Sequence, residues 1–187
     1  MASDPLRRLS IPEYLAFERQ AETKNDYLKG EIFAMAGASR QHNRITLNLV
    51  VALEAQLEDR DCEVFSSEMR VRTPTDLFTY PDVAVVCGPA RFEDAELDTL
   101  LNPIVVIEVL SKSTEAYDRG TKLSHYRSIP SLQEALLVAQ DQVHVEQFVR
   151  QSGNEWLFRE LDDLAAEVEL PSISCTLPLR RVYRRVF

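Results

Sequence analysis

A chain of 187 residues, 45% hydrophobic and 27% charged, can bury a full core without a disulfide or metal staple, which excludes the small cross-linked and the disordered classes. Thirty acidic against twenty-one basic side chains leave a net charge of −9, which argues against a protein that grips nucleic acid through phosphate contacts alone. The N-terminal MASDPLRRLSIPEYL lacks an apolar signal core, and no apolar run reaches the roughly 18 residues of a membrane span, so a soluble, cytoplasmic chain with no membrane partner is expected.

In chain order, Ser10-Ile-Pro-Glu13 reads as a helix start, with Ser10 as cap and Glu13 three residues on; the helix is expected to reach about Glu22. NDYLKGEIFAMAG (25–37) reads as a hairpin turning at Lys29-Gly30. Ser39 caps an expected amphipathic helix to about Asp59, with Ile45, Leu49, Ala52, Leu53 and Leu57 at helical spacing. Strands are expected at 62–66, 68–73 and 80–87, then a polar connection with a short helix at 88–102, then an apolar strand at 103–110. SKSTEAYDRGTKLSHYRSIP reads as one helix, capped near Ser113 or Thr114 and stopped before Pro130. Strands at 133–139, 142–150 and 154–160 follow, then a closing loop with a short helix or strand. This order makes an α/β chain, a single domain over 1–187, built on one mixed sheet with a helix on each face. Cys62, Cys87 and Cys175 are odd in number, widely spaced and form no CxxC pair, so all three are expected as thiols in a reducing compartment.

Two strands carry the chemistry. YPDVAVV (80–86) and IVVIEVL (104–110) are apolar enough for a core, yet each holds one carboxylate, Asp82 and Glu108. An ionised carboxylate in an apolar strand is costly unless it is paired, hydrogen-bonded or bound to a cation. Adjacent core strands can bring the two to one sheet edge, where one pKa rises or a cation sits between them. Carboxylates and water suit Mg²⁺ or Mn²⁺ rather than zinc, and the three histidines are scattered without metal-ligand spacing. The following helix presents Asp118, Lys122 and Tyr126 at i, i+4 and i+8, a face from which a lysine could reach such a site. Plain readings stand beside these. Lys122 and Asp118 could be a solvated ion pair, Tyr126 a packing aromatic and His42 a surface histidine. Lys112 and Arg119 could be a phosphate rim or isolated surface cations. The basic, aromatic LRRVYRRVF at the C-terminus reads first as a closing amphipathic element.

At these residues the chain resembles a known family. Pro81-Asp82 followed by Glu108 on the next central strand resembles the PD-(D/E)xK nuclease superfamily, and the finer pattern resembles the Uma2 (DUF820) family of restriction-endonuclease-like proteins. The segments that carry the likeness are NDYLKGEIFAMAGASRQHNRI (25–45), YPDVAVV (80–86), NPIVVIEVLSKST (102–114) and DRGTKLSHYRSIPSLQEALLV (118–138). The resemblance implies a restriction-endonuclease-like core, a central mixed β-sheet flanked by helices with an N-terminal helix and hairpin. It implies Asp82, Glu108 and the Val109 carbonyl as ligands of Mg²⁺ or Mn²⁺. In the superfamily a lysine stands two residues after the glutamate; here that position is Leu110, and Lys122 is the expected replacement. Asp26 stands where the family has an acidic residue, and with Glu31 and His42 it is expected to support the site or touch substrate, as are Asp118 and Tyr126. The implied partner is nucleic acid, DNA in the first instance, and a homodimer is allowed.

Three functions follow from these residues. The first is a metal-dependent nuclease using Asp82, Glu108 and Lys122. The second is a nuclease-fold module without catalysis that binds nucleic acid or protein, to which the negative charge and the displaced lysine point. The third, two-carboxylate glycoside hydrolysis, leaves Lys122 unexplained.

Overall fold

The computed structural model describes residues 8–35 and 37–187. Helix α1 (Ile11–Glu18) starts as its sequence indicates, the Glu13 carboxylate accepting from the N–H (2.9 Å) and hydroxyl (2.7 Å) of Ser10. It stops at Glu18, short of the expected Glu22. Strands β1 (Asn25–Leu28) and β2 (Glu31–Ala34) form the hairpin, with Lys29 and Gly30 both at positive φ in its turn. Helix α2 (Arg40–Leu57) begins where the Ser39 hydroxyl accepts from the His42 N–H, and it buries Ile45, Leu49, Leu53 and Leu57. Then come β3 (Cys62–Ser66), β4 (Arg70–Arg72), β5 (Leu77–Thr79), β6 (Val83–Cys87), β7 (Thr99–Leu100) and β8 (Val105–Leu110). After α3 (Glu115–Tyr117), a widened π-type turn (Asp118–Lys122) and α4 (Leu123–Tyr126), the chain continues through β9 (Glu134–Ala139), β10 (Val145–Arg150) and β11 (Trp156–Leu161). It closes with β12 (Glu167–Leu170), β13 (Cys175–Pro178) and α5 (Leu179–Val182). Among the described residues no helix is long and apolar enough to cross a membrane.

The central mixed sheet expected from the sequence is present, with β8 and β9 parallel and its other pairs antiparallel, but it is one of three sheets rather than the only one among the described residues. Six strands run β11-β10-β9-β8-β6-β3, five run β2-β1-β5-β4-β7, and β12 pairs with β13. The chain passes from the five-stranded to the six-stranded sheet through Tyr80-Pro81-Asp82, between Thr79 and Val83. Proline has no N–H for a ladder, which suits it to this crossing. The expected helix in 88–102 is absent; Thr99–Leu100 pairs with β4 and Phe92 bridges Leu100.

Both faces of the six-stranded sheet are covered. Val83, Val85, Val105, Ile107 and Val109 pack against α2 and the C-terminal elements, while Ala84, Val86, Val106 and Leu110 meet Leu123, Tyr126, Ile129 and Leu132. Burial on both sides is why β8 reads as an unbroken apolar run with no alternation. Because β8 and β9 are parallel, the chain between them must cross over a face of the sheet, and that crossover is the α3–α4 segment.

A second correction concerns the cysteines. Cys62 and Cys87 are not thiols but a disulfide, with Cα atoms 4.0 Å apart. They are directly opposed in the β3–β6 register, a closeness that a sequence separation of 25 does not reveal. Cys175 is free and buried, as expected.

Candidate active site

The β6–β8 register pairs Val83 with Ile107, so continuing it by one residue sets Asp82 opposite Glu108, where the two strands part. The Val109 N–H, released from the ladder there, donates to Asp82 Oδ2 at 2.7 Å. His42, in the first turn of α2, holds the same oxygen through Nε2 at 3.2 Å. Glu108 lies on the face of β8 that the crossover covers. Tyr126 donates its hydroxyl to Glu108 Oε1 at 2.6 Å, and Lys122 Nζ lies 3.0 Å from that oxygen. Asp118 is 3.6 Å from the same ammonium.

Asp118, Lys122 and Tyr126 thus converge, but not along one regular helix. The crossover is broken into two short helices by the widened turn Asp118–Lys122, a feature that often accompanies function. Leu110, at the superfamily's lysine position, is buried against Leu123 in the core, and Lys122 occupies the carboxylate's side instead.

Asp26 comes from the other sheet. It is 6% exposed, its Oδ1 has no hydrogen-bond partner, and Thr79, opposite it in the continued β1–β5 register, has an equally unpartnered hydroxyl. Glu31, expected nearby, is not brought in: it lies at the exposed turn end of β2 and pairs with Arg8 at 3.2 Å. Arg119 faces away and pairs with Glu146. Lys112 is exposed and lines a neighbouring cavity of about 390 Å³. A cavity of about 740 Å³ opens over the cluster, and Tyr117, Lys24, Phe33, Asn43, Thr46 and Gln140 join its walls. The sequence reading missed these. Only Thr46, one turn after His42 on α2, carried a readable signal.

The electrostatics reflect crowding. Burial pushes Glu108 up to about 8, with Asp82 and Asp118 adding to it and Lys122 opposing. Burial also raises Asp26, again against Lys122. Burial alone would lower Lys122, but Glu108, Asp26, Asp118 and Asp82 outweigh it and hold the lysine above its ordinary value, as an ammonium. Burial raises the Tyr126 hydroxyl well above its usual range and lifts Tyr117 to about 12, so both stay protonated donors. Four carboxylates share one buried ammonium, and that excess of negative charge is what a cation would relieve. Asp82 Oδ1 and Glu108 Oε2 enter no hydrogen bond or ion pair among the described residues, so each carboxylate has one oxygen tied to the protein and one left over. An all-oxygen set of this kind fits a hard divalent cation.

The mixed α/β fold, with its central mixed sheet flanked by helices, is of the restriction-endonuclease-like class. The same fold is found in a crystal structure titled a putative nuclease belonging to DUF820 from Anabaena variabilis, with a TM-score of 0.76 over 96% of this chain and 99% of that one, at 20% identity. The chain belongs to the Uma2 family, described as "Putative restriction endonuclease", which it matches over residues 11–180. Two Synechocystis sp. proteins, both named as uncharacterized, are similar to it. Protein sll1609 is 40% identical over 86% of this chain and 92% of its own length; slr1290 is 35% identical over 97% and 95%.

Proposed function

We propose that this chain is a divalent-metal-dependent endonuclease that hydrolyses phosphodiester bonds, with DNA as the first substrate to test. The observation that carries the reading is Lys122: an ammonium 3.0 Å from Glu108, reaching in from the crossover on the side where Leu110 supplies no charge. Asp82, Glu108 and the Val109 carbonyl would hold Mg²⁺ or Mn²⁺. An N–H and a C=O of one strand residue serve the same edge, and the Val109 N–H already faces Asp82. The ion would supply Lewis-acid polarisation of the scissile phosphate.

The chain's own groups do the rest. His42 and the Val109 N–H fix one oxygen of Asp82, and Tyr126 fixes one of Glu108, so both carboxylates are oriented before a cation arrives. Lys122, kept charged by Glu108, Asp26 and Asp118, stabilises the negative charge that develops on the phosphate. Little further chemistry is required, because positioning and charge stabilisation dominate phosphoryl transfer.

The second reading, a binding module without catalysis, is favoured by the net charge of −9. Plasmid nicking in Mg²⁺ or Mn²⁺ separates the two. Wild type is expected to nick and Asp82→Ala not to; equal nicking by both would overturn the metal assignment, and no nicking by wild type the catalytic one.

A further inference from the structure

Phe33 stands at the mouth of the acidic cavity, and the chemistry above gives it no task. It lies on β2, an edge strand whose four residues are all exposed, and it is itself 49% exposed. It lines the cavity and is directly paired with Asp26 in the β1–β2 register, so both side chains leave the hairpin on one face. Other aromatics of this region are used for packing: Tyr14 stacks on Tyr27, and Phe78 meets both rings edge-on. Phe33 has no ring partner among the described residues.

Charge narrows what could lie on it. Five carboxylates line the cavity (Asp26, Glu68, Asp82, Glu108 and Asp118) against two lysines. Both lysines are engaged, Lys122 by Glu108 and Asp118, and Lys24 by Glu68 at 2.9 Å and the Ser67 carbonyl at 2.8 Å. A polyanion finds no free ammonium on these walls, so affinity for it has to come from a bound cation and from its bases. Stacking on an exposed aromatic ring is a sequence-tolerant source of such affinity, open to bases that are not already stacked and paired in a duplex.

We propose that Phe33 is a stacking platform for an unpaired base, and that the substrate class of this site is single-stranded or locally unpaired nucleic acid. The identity of the polymer rests on the nuclease reading; the platform rests on the placement of the ring. Replacing it with tryptophan turns it into a reporter. Wild type, whose one tryptophan is Trp156 on β11, serves as background. A mixed-sequence oligodeoxynucleotide, alone or annealed to its complement, is titrated in Ca²⁺, a cation for oxygen ligands that offsets the carboxylates.

The single strand is expected to quench Phe33→Trp and to bind at least about tenfold more tightly than the duplex. Phe33→Ala should weaken single-strand binding about tenfold or more by anisotropy, with Mn²⁺ binding and Tm unchanged, and Phe33→Trp should restore it. Duplex bound as tightly as single strand, or binding unaffected by Phe33→Ala, overturns the proposal. So does a dimer that Phe33→Ala converts to monomer in sedimentation with oligonucleotide binding unchanged, because the ring then serves a second copy of the chain. The two readings fail separately. Quenching without cleavage of either form by wild type removes the nuclease and keeps the platform; equal cleavage of both forms by wild type and Phe33→Ala removes the platform and keeps the nuclease.

Discussion

Two buried charged clusters lie on either side of Tyr80, and they are built to opposite rules. Under α1, Arg70 is 2% exposed and every partner is in place: Nε donates to Thr99 Oγ1 at 2.8 Å, Nη1 to the Tyr80 hydroxyl at 3.1 Å and Nη2 to Asp98 Oδ1 at 2.8 Å. Glu18 accepts from the Asn25 N–H and amide and from the Tyr80 hydroxyl. Arg19 clamps Asp94 and Asp98, and its hydrogen bonds hold Asp98 down at about 2. Across the Tyr80-Pro81-Asp82 crossing, four carboxylates share one ammonium, and Asp26 Oδ1, His42 Nδ1, Thr46 Oγ1 and Thr79 Oγ1 are buried without hydrogen-bond partners. A satisfied network rigidifies; an unsatisfied one is tolerated where a ligand completes it. The first cluster ties α1 and the connection at Asp94 and Asp98 to the five-stranded sheet, and the second is left with an excess of carboxylates that the proposed cation would relieve.

Breaking the second cluster at its cation should give the largest effect. Lys122→Ala is expected to lose about 3–4 kcal/mol of transition-state stabilisation, roughly a hundred- to thousandfold in nicking rate, while retaining Mn²⁺ binding by calorimetry. Lys112→Ala should lose far less. A reversed order would return Lys122 to a structural ion pair. Breaking the first cluster should cost stability and not chemistry. Arg70→Ala removes the donor to Thr99, Tyr80 and Asp98, and about 3 kcal/mol is expected in urea unfolding, the low end for a broken buried pair because Asp98 is one-third exposed and keeps Arg19. A loss under about 1 kcal/mol would mean that the network adds little beyond packing.

The effect of pH has the opposite sign. Glu108 sits at about 8 in the fold against about 4.3 in an unfolded chain. A carboxyl raised on folding contributes stability below its unfolded pKa and loses it as pH rises through the folded value. The metal-free protein should therefore lose stability from about pH 4 to about pH 8, and Glu108→Gln should flatten that slope while Mn²⁺ binding falls sharply. Parallel pH curves for Tm in wild type and variant would show that Glu108 is ionised at no cost.

Local signals were legible wherever the physics was local. The capping box at Ser10 and Glu13, the Ser39 cap, the Lys29-Gly30 turn and the heptad-like stripe of α2 all sit where their residues indicate, because each depends on neighbours within one turn. Asp82 and Glu108 were legible as a pair, since a carboxylate in an apolar strand demands an explanation. The broken crossover was not: Asp118, Lys122 and Tyr126 fit a regular helix equally well, and the widened turn appears only once Lys122 must reach Glu108 from a segment tied to two parallel strands. Glu31 shows the complementary error. It shares a hairpin with Asp26, but register alone decides which of them meets the cavity.

The sequence by itself determined where helices start, where the hairpin turns, that two carboxylates lie in core strands, and that the family's lysine position holds Leu110. All of these are properties of residue type and spacing. Only the tertiary structure decided that the strands divide into a six-stranded and a five-stranded sheet, that Cys62 and Cys87 are opposed closely enough for a disulfide, and that Asp26 and Phe33 reach the cavity that Glu108 shares. Those outcomes depend on pairing between segments dozens of residues apart, and pairing is settled by register and by competition for burial, which no single segment encodes.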